Sequence, residues 1–228
     1  MFHYEKTWQD VRARIARAAC ACGRNPADVR LLAVSKTFPP EAVRAVHGLG
    51  QRAFGENYVQ EGVQKIADLS DLSDLEWHLI GPLQSNKAAL AASRFAWVQS
   101  VDRTRIAERL SAARPDGLPP LSVCIQINAS GESSKSGVAP GQAVALAQVV
   151  AGFPRLVLRG IMGIPEPTAD AGRRRSQFRV LREAFEACRA AGLPLDTLSM
   201  GMSADLEDAI AEGATLVRVG TSIFGTRG

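Results

Sequence analysis

The chain has 228 residues, of which 46% are hydrophobic and 22% charged, and this length and composition fit one large α/β domain or two small ones and exclude disordered and fibrous classes. The formal net charge of +4 is spread along the chain, and without a zinc-finger spacing, a basic tail or an RNA-binding aromatic signature it predicts no nucleic-acid partner. No apolar run approaches the roughly 20 residues that a membrane-spanning helix needs, so we expect no membrane segment.

Short apolar segments alternate with longer amphipathic ones along the chain. An amphipathic helix over about 5–22 comes first, with Trp8, Val11 and Ile15 on one face. The β segments that follow are expected at 29–35, 52–54, 76–80, 96–101, 121–127, 156–162, 197–200 and 215–219. The helices between them are expected at 40–47, 57–69, from 84, after 102, 140–151, 174–191 and 204–212, with a short last helix after Gly220.

This order of elements predicts a single (β/α)8 TIM barrel, an α/β fold closed in one domain over residues 1–228, with the first helix as an extra N-terminal element. A doubly wound open sheet is the alternative. It requires a glycine-rich dinucleotide turn after the first strand, whereas the residues there are Lys36-Thr-Phe-Pro-Pro40. We find no linker and no internal repeat.

The cysteines and histidines indicate the compartment and the absence of a metal site. Cys20, Cys22, Cys124 and Cys188 form no CxxC pair and have no metal-ligand spacing. Because no secretory signal stands at the N-terminus, we expect reduced thiols and a cytoplasmic protein. The three histidines are scattered, so we expect no histidine-based metal site.

Lysine is rare in this chain, and one lysine ends the first apolar strand. Only five of the 27 basic residues are lysines, and Lys36 follows the run from Val29 to Ser35. In a (β/α)8 barrel the active site lies at the C-terminal ends of the strands. A partly buried lysine amine can lose its proton and form an imine with an aldehyde, which a guanidinium cannot do. The alternative is a lysine whose stem merely covers apolar surface.

The end of the last strand predicts an anion site. Gly220 and Thr221 begin a helix whose first turn has no acidic residue, which suits a phosphate. Ser203, after the preceding strand, either joins this site or caps a helix. Arg218 points either outward between helices or inward beside a ligand. An inward guanidinium that donates to a pyridine nitrogen would keep that nitrogen unprotonated.

Four other polar residues lie near the same strand ends. Asn57 either donates to a ligand hydroxyl or caps a helix. His78 is expected to be a hydrogen-bonded histidine of the core, and Lys87 and Lys135 are expected to be surface lysines. A lysine at one strand end together with a phosphate-binding turn at another predicts a pocket for a phosphorylated aldehyde.

Several segments resemble, in order, the pyridoxal phosphate homeostasis proteins, the YggS/PROSC family. The segments are Ala33–Thr37, Phe54–Glu61, Trp77–Lys87, Ser134–Gly137, Leu198–Asp205 and Val217–Gly225. The resemblance runs along nearly the whole chain. It implies a fold-type III barrel like the N-terminal domain of alanine racemase, with pyridoxal 5′-phosphate (PLP) bound to Lys36 as a Schiff base.

The resemblance also implies a role for each of the other candidate residues. Arg218 would face the pyridine nitrogen of PLP, Asn57 would lie near the ring, and the phosphate would be held by Ser203, Gly220 and Thr221. The family is regarded as lacking a demonstrated enzymatic reaction and as regulating or carrying the cofactor. The expected partners are therefore PLP and the apo PLP-enzymes that receive it, and the expected state is a monomer or a weak dimer.

The sequence also bears on catalysis. A racemase of this fold type needs a second acid/base, usually a tyrosine from an added β domain of a partner subunit. The printed sequence runs nine residues past Val219, and its only tyrosines are Tyr4 and Tyr58, so we expect PLP binding without turnover. Two alternatives stay open: a small fold-type III PLP-dependent racemase or lyase, and a cofactor-free Schiff-base aldolase that uses Lys36.

Overall fold

The computed structural model describes residues 4–130 and 136–226. Its strands are β1 (Arg30–Val34), β2 (Ala53–Glu56), β3 (Glu76–Leu79), β4 (Trp97–Val101), β5 (Leu121–Ile127), β6 (Leu156–Gly163), β7 (Thr197–Ser199) and β8 (Leu216–Val219). Each strand pairs in parallel with the next, and β8 pairs with β1, so the sheet closes in chain order. The predicted (β/α)8 barrel is confirmed, and the doubly wound open sheet is wrong.

The helices lie in the connections between strands, except for α1, which precedes the barrel, and α9, which follows the last strand. They are α1 (Tyr4–Ala21), α2 (Pro40–Gly48), α3 (Val59–Asp68), α4 (Ala88–Arg94), α5 (Thr104–Ala113), α6 (Ala143–Ala151), α7 (Ala171–Ala190), α8 (Leu206–Ala211) and α9 (Thr221–Phe224). The structure moves five of the predicted starts, those of α3, α4, α6, α7 and α8, and short 3₁₀ turns precede α4 and α6. α7 begins earlier because the Asp170 carboxylate accepts the Arg173 N–H at 3.0 Å. α8 begins later because Asp205 accepts the Met202 N–H at 2.6 Å and so extends the preceding turn.

Alternation along the strands divides the core into two layers. Successive side chains of a strand point to opposite faces, so one set packs against the helices and the other fills the barrel. The residues inside the barrel form two clusters separate from the main core, namely Leu32, Val34, Ala53, Ile80 and Leu216, and Trp97, Cys124 and Met162. Lys36 follows Val34 by two residues, and this alternation directs its side chain to the mouth of the barrel.

The N-terminal helix α1 lies against α8 and α9, which follow the last two strands. Its buried face includes the predicted Trp8, Val11 and Ile15. Thr7 Oγ1 donates to the Ile223 carbonyl at 2.8 Å, and Arg14 Nη2 donates to the Ser203 carbonyl at 3.1 Å. The added helix therefore holds both loops at which the sequence predicts phosphate contacts.

The described ranges contain neither a candidate membrane-spanning helix nor a candidate metal site. No helix in residues 4–130 or 136–226 is long and apolar enough to cross a bilayer. The same residues contain no group of three or more histidine, cysteine, aspartate or glutamate side chains that could hold a metal ion.

Candidate functional site

A cavity of about 610 Å³ opens at the C-terminal ends of the strands. All of the site residues predicted from the sequence line it, namely Lys36, Asn57, Ser203, Arg218, Gly220 and Thr221. They come from four separate strand ends, those of β1, β2, β7 and β8, which barrel closure brings around one space. The volume lies within the range usual for small-molecule sites, about 300–1,000 Å³.

The turn that presents Lys36 is held from both sides. Lys36 is half-buried. Before it, the Ser35 carbonyl accepts a hydrogen bond from Lys65 Nζ at 2.7 Å. After it, Thr37 adopts a left-handed conformation with φ of 67°, and its N–H donates to the Glu61 carboxylate. A left-handed β-branched residue is strained, so these contacts stabilise a backbone that would not persist alone.

A buried cluster of charges lies beneath this turn. Lys65 Nζ lies 2.9 Å from Glu56 and 2.7 Å from Glu61, and Ser35 Oγ donates to Glu56 at 2.6 Å. Burial raises the pKa of Glu56 although Lys65 and Ser35 oppose it. Glu56 Oε2 has no hydrogen-bond partner among the described residues. The cluster depends on Lys65, a residue that the sequence-based reasoning did not single out.

Arg218 points inward. It is 3% exposed and donates to Ser199 Oγ at 2.7 Å and to the Gly163 carbonyl at 2.8 Å. Burial lowers its pKa to about 10, with a smaller opposing effect from Asp205, so the guanidinium is charged at neutral pH. No carboxylate in the described ranges lies within salt-bridge distance of it, and the charge of Asp205 acts on it from farther away.

The loops after β7 and β8 meet at the predicted phosphate site. The Ser222 N–H lies 3.4 Å from Ser203 Oγ, and α9 has no acidic residue in its first turn. A Cβ added to Gly220 would lie 3.1 Å from the Val34 carbonyl oxygen, so glycine allows this turn to approach β1 closely. Ser203 does not cap the helix after its own strand, because α8 begins at Leu206 with Asp205 as its N-cap residue, so that alternative is wrong; its Oγ accepts instead from the first turn of α9.

Asn57 stands between the β2 end and α3. α3 begins at Val59 and has no side-chain cap, so the alternative role of Asn57 as a cap is also wrong. A Cβ on Gly81 would lie 2.1 Å from the Asn57 carbonyl oxygen. Only glycine therefore lets the loop after β3 touch the Asn57 backbone, which keeps both loops at the cavity edge.

Two of the remaining candidates, His78 and Lys87, lie away from the cavity wall. His78 is completely buried and is hydrogen-bonded to Gln99 and Glu76, so the prediction of a satisfied core histidine is confirmed. Lys87 is half-buried at the end of a short 3₁₀ helix and is not among the described residues that line the cavity. Lys135 lies outside the described residues.

Sequence reasoning missed part of the wall. Gln126 lines the cavity, and its position in β5, two residues after the inward-facing Cys124, is a signal that could have identified it. Ile164, Pro165 and Pro167, from the loop after β6, also line it, and no sequence pattern indicates where such a loop folds. These side chains make one wall of the cavity apolar.

The chain is similar to known proteins over most of its length. The family described as the N-terminal domain of alanine racemase matches residues 9–228. A pyridoxal phosphate homeostasis protein from Pseudomonas aeruginosa is 58% identical over 217 residues, covering 95% of this chain and 93% of that protein. The protein of the same name from Escherichia coli is 52% identical over 219 residues, covering 95% and 94%.

Solved structures show the same barrel. PipY of Synechococcus elongatus, in the form with PLP bound, has a TM-score of 0.80 and 39% identity, and the match covers 92% of this chain and 100% of that one. Alanine racemase from Corynebacterium glutamicum shares the fold, with a TM-score of 0.71 and 17% identity over 96% of this chain and 62% of that one. Because its sequence is this similar to those relatives over nearly its whole length, and because it has the same barrel, the chain belongs to the pyridoxal phosphate homeostasis protein family and contains the alanine racemase N-terminal domain.

Proposed function

We propose that this protein binds PLP at the C-terminal mouth of its barrel and acts in PLP homeostasis. The observation that carries the proposal is one cavity of about 610 Å³ bordered by a strand-end lysine, a buried arginine and a glycine-threonine turn. These groups match the three reactive parts of PLP, which are its aldehyde, its pyridine nitrogen and its phosphate. A buried guanidinium that forms no salt bridge with the described carboxylates also favours an electron-rich ligand.

Each predicted residue has a part in this proposal. PLP supplies an aldehyde, with which the neutral amine of Lys36 would condense, losing one water, to give an imine. Arg218 would donate to the pyridine nitrogen and, because a guanidinium cannot accept a hydrogen bond, would keep that nitrogen unprotonated. Asn57 would contact the ring, and Ser203 with the turn 220–221 would donate to the phosphate.

We further propose that PLP is held without catalytic turnover. Among the described residues that line the cavity, only Lys36 and Arg218 have ionisable side chains. Tyr58 is 61% exposed, Tyr4 packs against Phe224, and neither lines the cavity. Transfer of a proton on both faces of a substrate needs a second acid or base, and these residues do not supply it.

The phosphate contact can be tested by comparing two ligands. Thr221→Ala should weaken PLP binding by about 1–3 kcal/mol, or roughly 5- to 150-fold, through loss of a hydrogen bond to a charged group. Its affinity for pyridoxal, which lacks the phosphate, should stay nearly unchanged. Thr104→Ala, at the start of α5, is the control. Equal losses for both ligands would mean that the turn does not contact the phosphate.

Turnover is tested with the PLP-loaded protein and amino acids in deuterated water. We expect no rapid exchange of the α-hydrogen and no product. Fast exchange with turnover would instead identify a racemase or a lyase. A protein that forms no absorption band with PLP would favour the cofactor-free aldolase.

The cellular setting follows from the same proposal. All four cysteines are free thiols, two of them exposed, which fits a reducing compartment such as the cytoplasm. We propose that this protein is a monomer or a weak dimer and that apo PLP-enzymes receive the cofactor from it. Mixing the PLP-loaded protein with an apo-enzyme should restore activity faster than the PLP released by the protein alone can explain, and an equal rate would contradict direct transfer.

A further inference from the structure

A continuous line of hydrogen-bonded side chains runs through the inside of the barrel. Arg218 Nη1 donates to Ser199 Oγ at 2.7 Å, and Ser199 Oγ donates to Gln99 Oε1 at 2.6 Å. Gln99 Nε2 lies 2.9 Å from His78 Nδ1, and His78 Nε2 lies 2.8 Å from Glu76 Oε1. The line begins at the cavity already described and ends at Glu76, which lines a second cavity formed by residues at the N-terminal ends of β1, β2 and β3.

Only one arrangement of protons satisfies this line. A guanidinium can only donate, so Ser199 accepts from Arg218 and directs its own proton to the Gln99 carbonyl oxygen. The Gln99 amide then donates to His78 Nδ1, which therefore carries no hydrogen. His78 keeps its proton on Nε2 and donates it to the Glu76 carboxylate. Complete burial lowers the pKa of His78 although Glu76 opposes this, which agrees with a neutral ring.

A change at one end of this line therefore affects the other end. If Gln99 turned its amide nitrogen toward Ser199, the Ser199 oxygen would face two donors and its own proton would lose its acceptor. His78 cannot compensate by tilting freely, because its ring stacks on Trp97 at 4.9 Å and 11°. Ser199, Gln99 and His78 are completely buried, and a buried polar group left without its partner is costly.

We propose that Ser199, Gln99 and His78 are positioning residues, which fix the guanidinium of Arg218 toward the cavity through this single line of hydrogen bonds. Ser199 and the Gly163 carbonyl occupy two of the five N–H donors of Arg218, leaving the others for a ligand. The nature of that ligand rests on the proposed function, in which Arg218 donates to the pyridine nitrogen of PLP. The coupling of Arg218 to His78 does not depend on it.

The coupling is tested first in the protein without ligand. Nitrogen NMR of protein with labelled histidine should show His78 as the neutral ring with hydrogen on Nε2. Ser199→Ala, two hydrogen bonds away, should move the Nδ1 resonance of His78 downfield, because Gln99 loses the partner that orients its amide. Ser111→Ala is the control: it also removes the hydroxyl of a buried serine, but on helix α5 and away from the cavity, so it should leave His78 unchanged. An unmoved His78 resonance in Ser199→Ala would overturn the proposal.

The positioning of Arg218 is tested with PLP. Gln99→Leu should weaken PLP binding about five- to tenfold, as for one lost hydrogen bond, and should change the resonance of the pyridine nitrogen. Gln99→Glu still accepts from Ser199, so it should bind PLP more tightly than Gln99→Leu while His78 becomes protonated on both nitrogens. The control Ser111→Ala should bind PLP as wild type does.

The two proposals fail in different ways. A wild-type protein that does not bind PLP would contradict the proposed function, and the His78 resonance in Ser199→Ala would still decide whether the line is coupled. Wild-type binding together with unchanged affinity and an unchanged pyridine nitrogen in Gln99→Leu would overturn the positioning role alone.

Discussion

Replacing Lys65 by methionine tests the cluster that supports the Lys36 turn. Methionine keeps an unbranched stem of similar length but removes the ammonium of a side chain that is 6% exposed. That ammonium contacts oxygens of Ser35, Glu56 and Glu61. The Ser35 carbonyl lies just before Lys36, and Glu61 accepts the N–H of Thr37 just after it. We therefore expect Lys65→Met both to destabilise the fold and to loosen the turn that presents the imine-forming amine.

The size of the effect follows from what remains after the substitution. Removing one partner of a buried ion pair costs about 3–5 kcal/mol, because the other charge stays buried. Glu56 limits this cost by taking up a proton, since burial already raises its pKa, and each further unit of pKa corresponds to about 1.4 kcal/mol. Glu56→Gln in the Lys65→Met background should thus recover part of the loss, with a coupling of about 1–3 kcal/mol.

Denaturant unfolding of the two single variants and the double variant measures this coupling, provided that the slope with denaturant is unchanged. Lys6→Met is the control, because Lys6 is 76% exposed and pairs with the exposed Asp10, and it should cost less than about 1 kcal/mol. A Lys65→Met protein within 1 kcal/mol of wild type, or purely additive losses, would refute the reasoning.

Three further expectations concern the N-terminal helix, the strained turn and the stability of the protein at acidic pH. Arg14→Ala should weaken PLP binding because it releases the Ser203 carbonyl, whereas Arg17→Ala, an exposed neighbour, should not, as titration with PLP will show. Thr37→Gly should raise the unfolding free energy by about 1 kcal/mol in denaturant, because its φ of 67° is strained for a β-branched residue. Burial opposes ionisation of Glu76, but the adjacent histidine and arginine lower its pKa from 4.5 to about 2. Its stabilisation is present above pH 4.5 and is lost as the pH falls toward 2, so Glu76→Gln should flatten the stability profile in that window.

The barrel and the mouth of the site could be predicted because strand alternation and chain order determine them. Lys36 and Arg218 come two residues after inward-facing residues of their strands, so alternation turns both side chains inward. Closure of the sheet then brings β1 and β8 side by side. Lys65 illustrates what was overlooked. With Glu61 four residues earlier it has the spacing of an exposed pair, yet it shares the buried face of α3 with Val59 and Gly62. The helical periodicity of α3 therefore indicates that Lys65 is buried.

The line of side chains from Arg218 to Glu76 could not be predicted from the sequence. Alternation indicates that Gln99 in β4 and Ser199 in β7 point inward, but these strands are not neighbours in the sheet. The 2.6 Å hydrogen bond from Ser199 Oγ to Gln99 Oε1 depends on side-chain positions across the closed barrel. A polar residue in an apolar strand indicates a partner inside the barrel without identifying it.

Borohydride reduction of the PLP-loaded protein, followed by mass spectrometry of its peptides, tests most directly whether Lys36 holds the cofactor. We predict that the reduced PLP adduct lies on the peptide that contains Lys36, and that Lys36→Ala loses the visible absorption band while retaining the circular dichroism of the folded barrel. An adduct found chiefly on Lys87 or Lys135, or a band that persists in Lys36→Ala, would contradict this assignment.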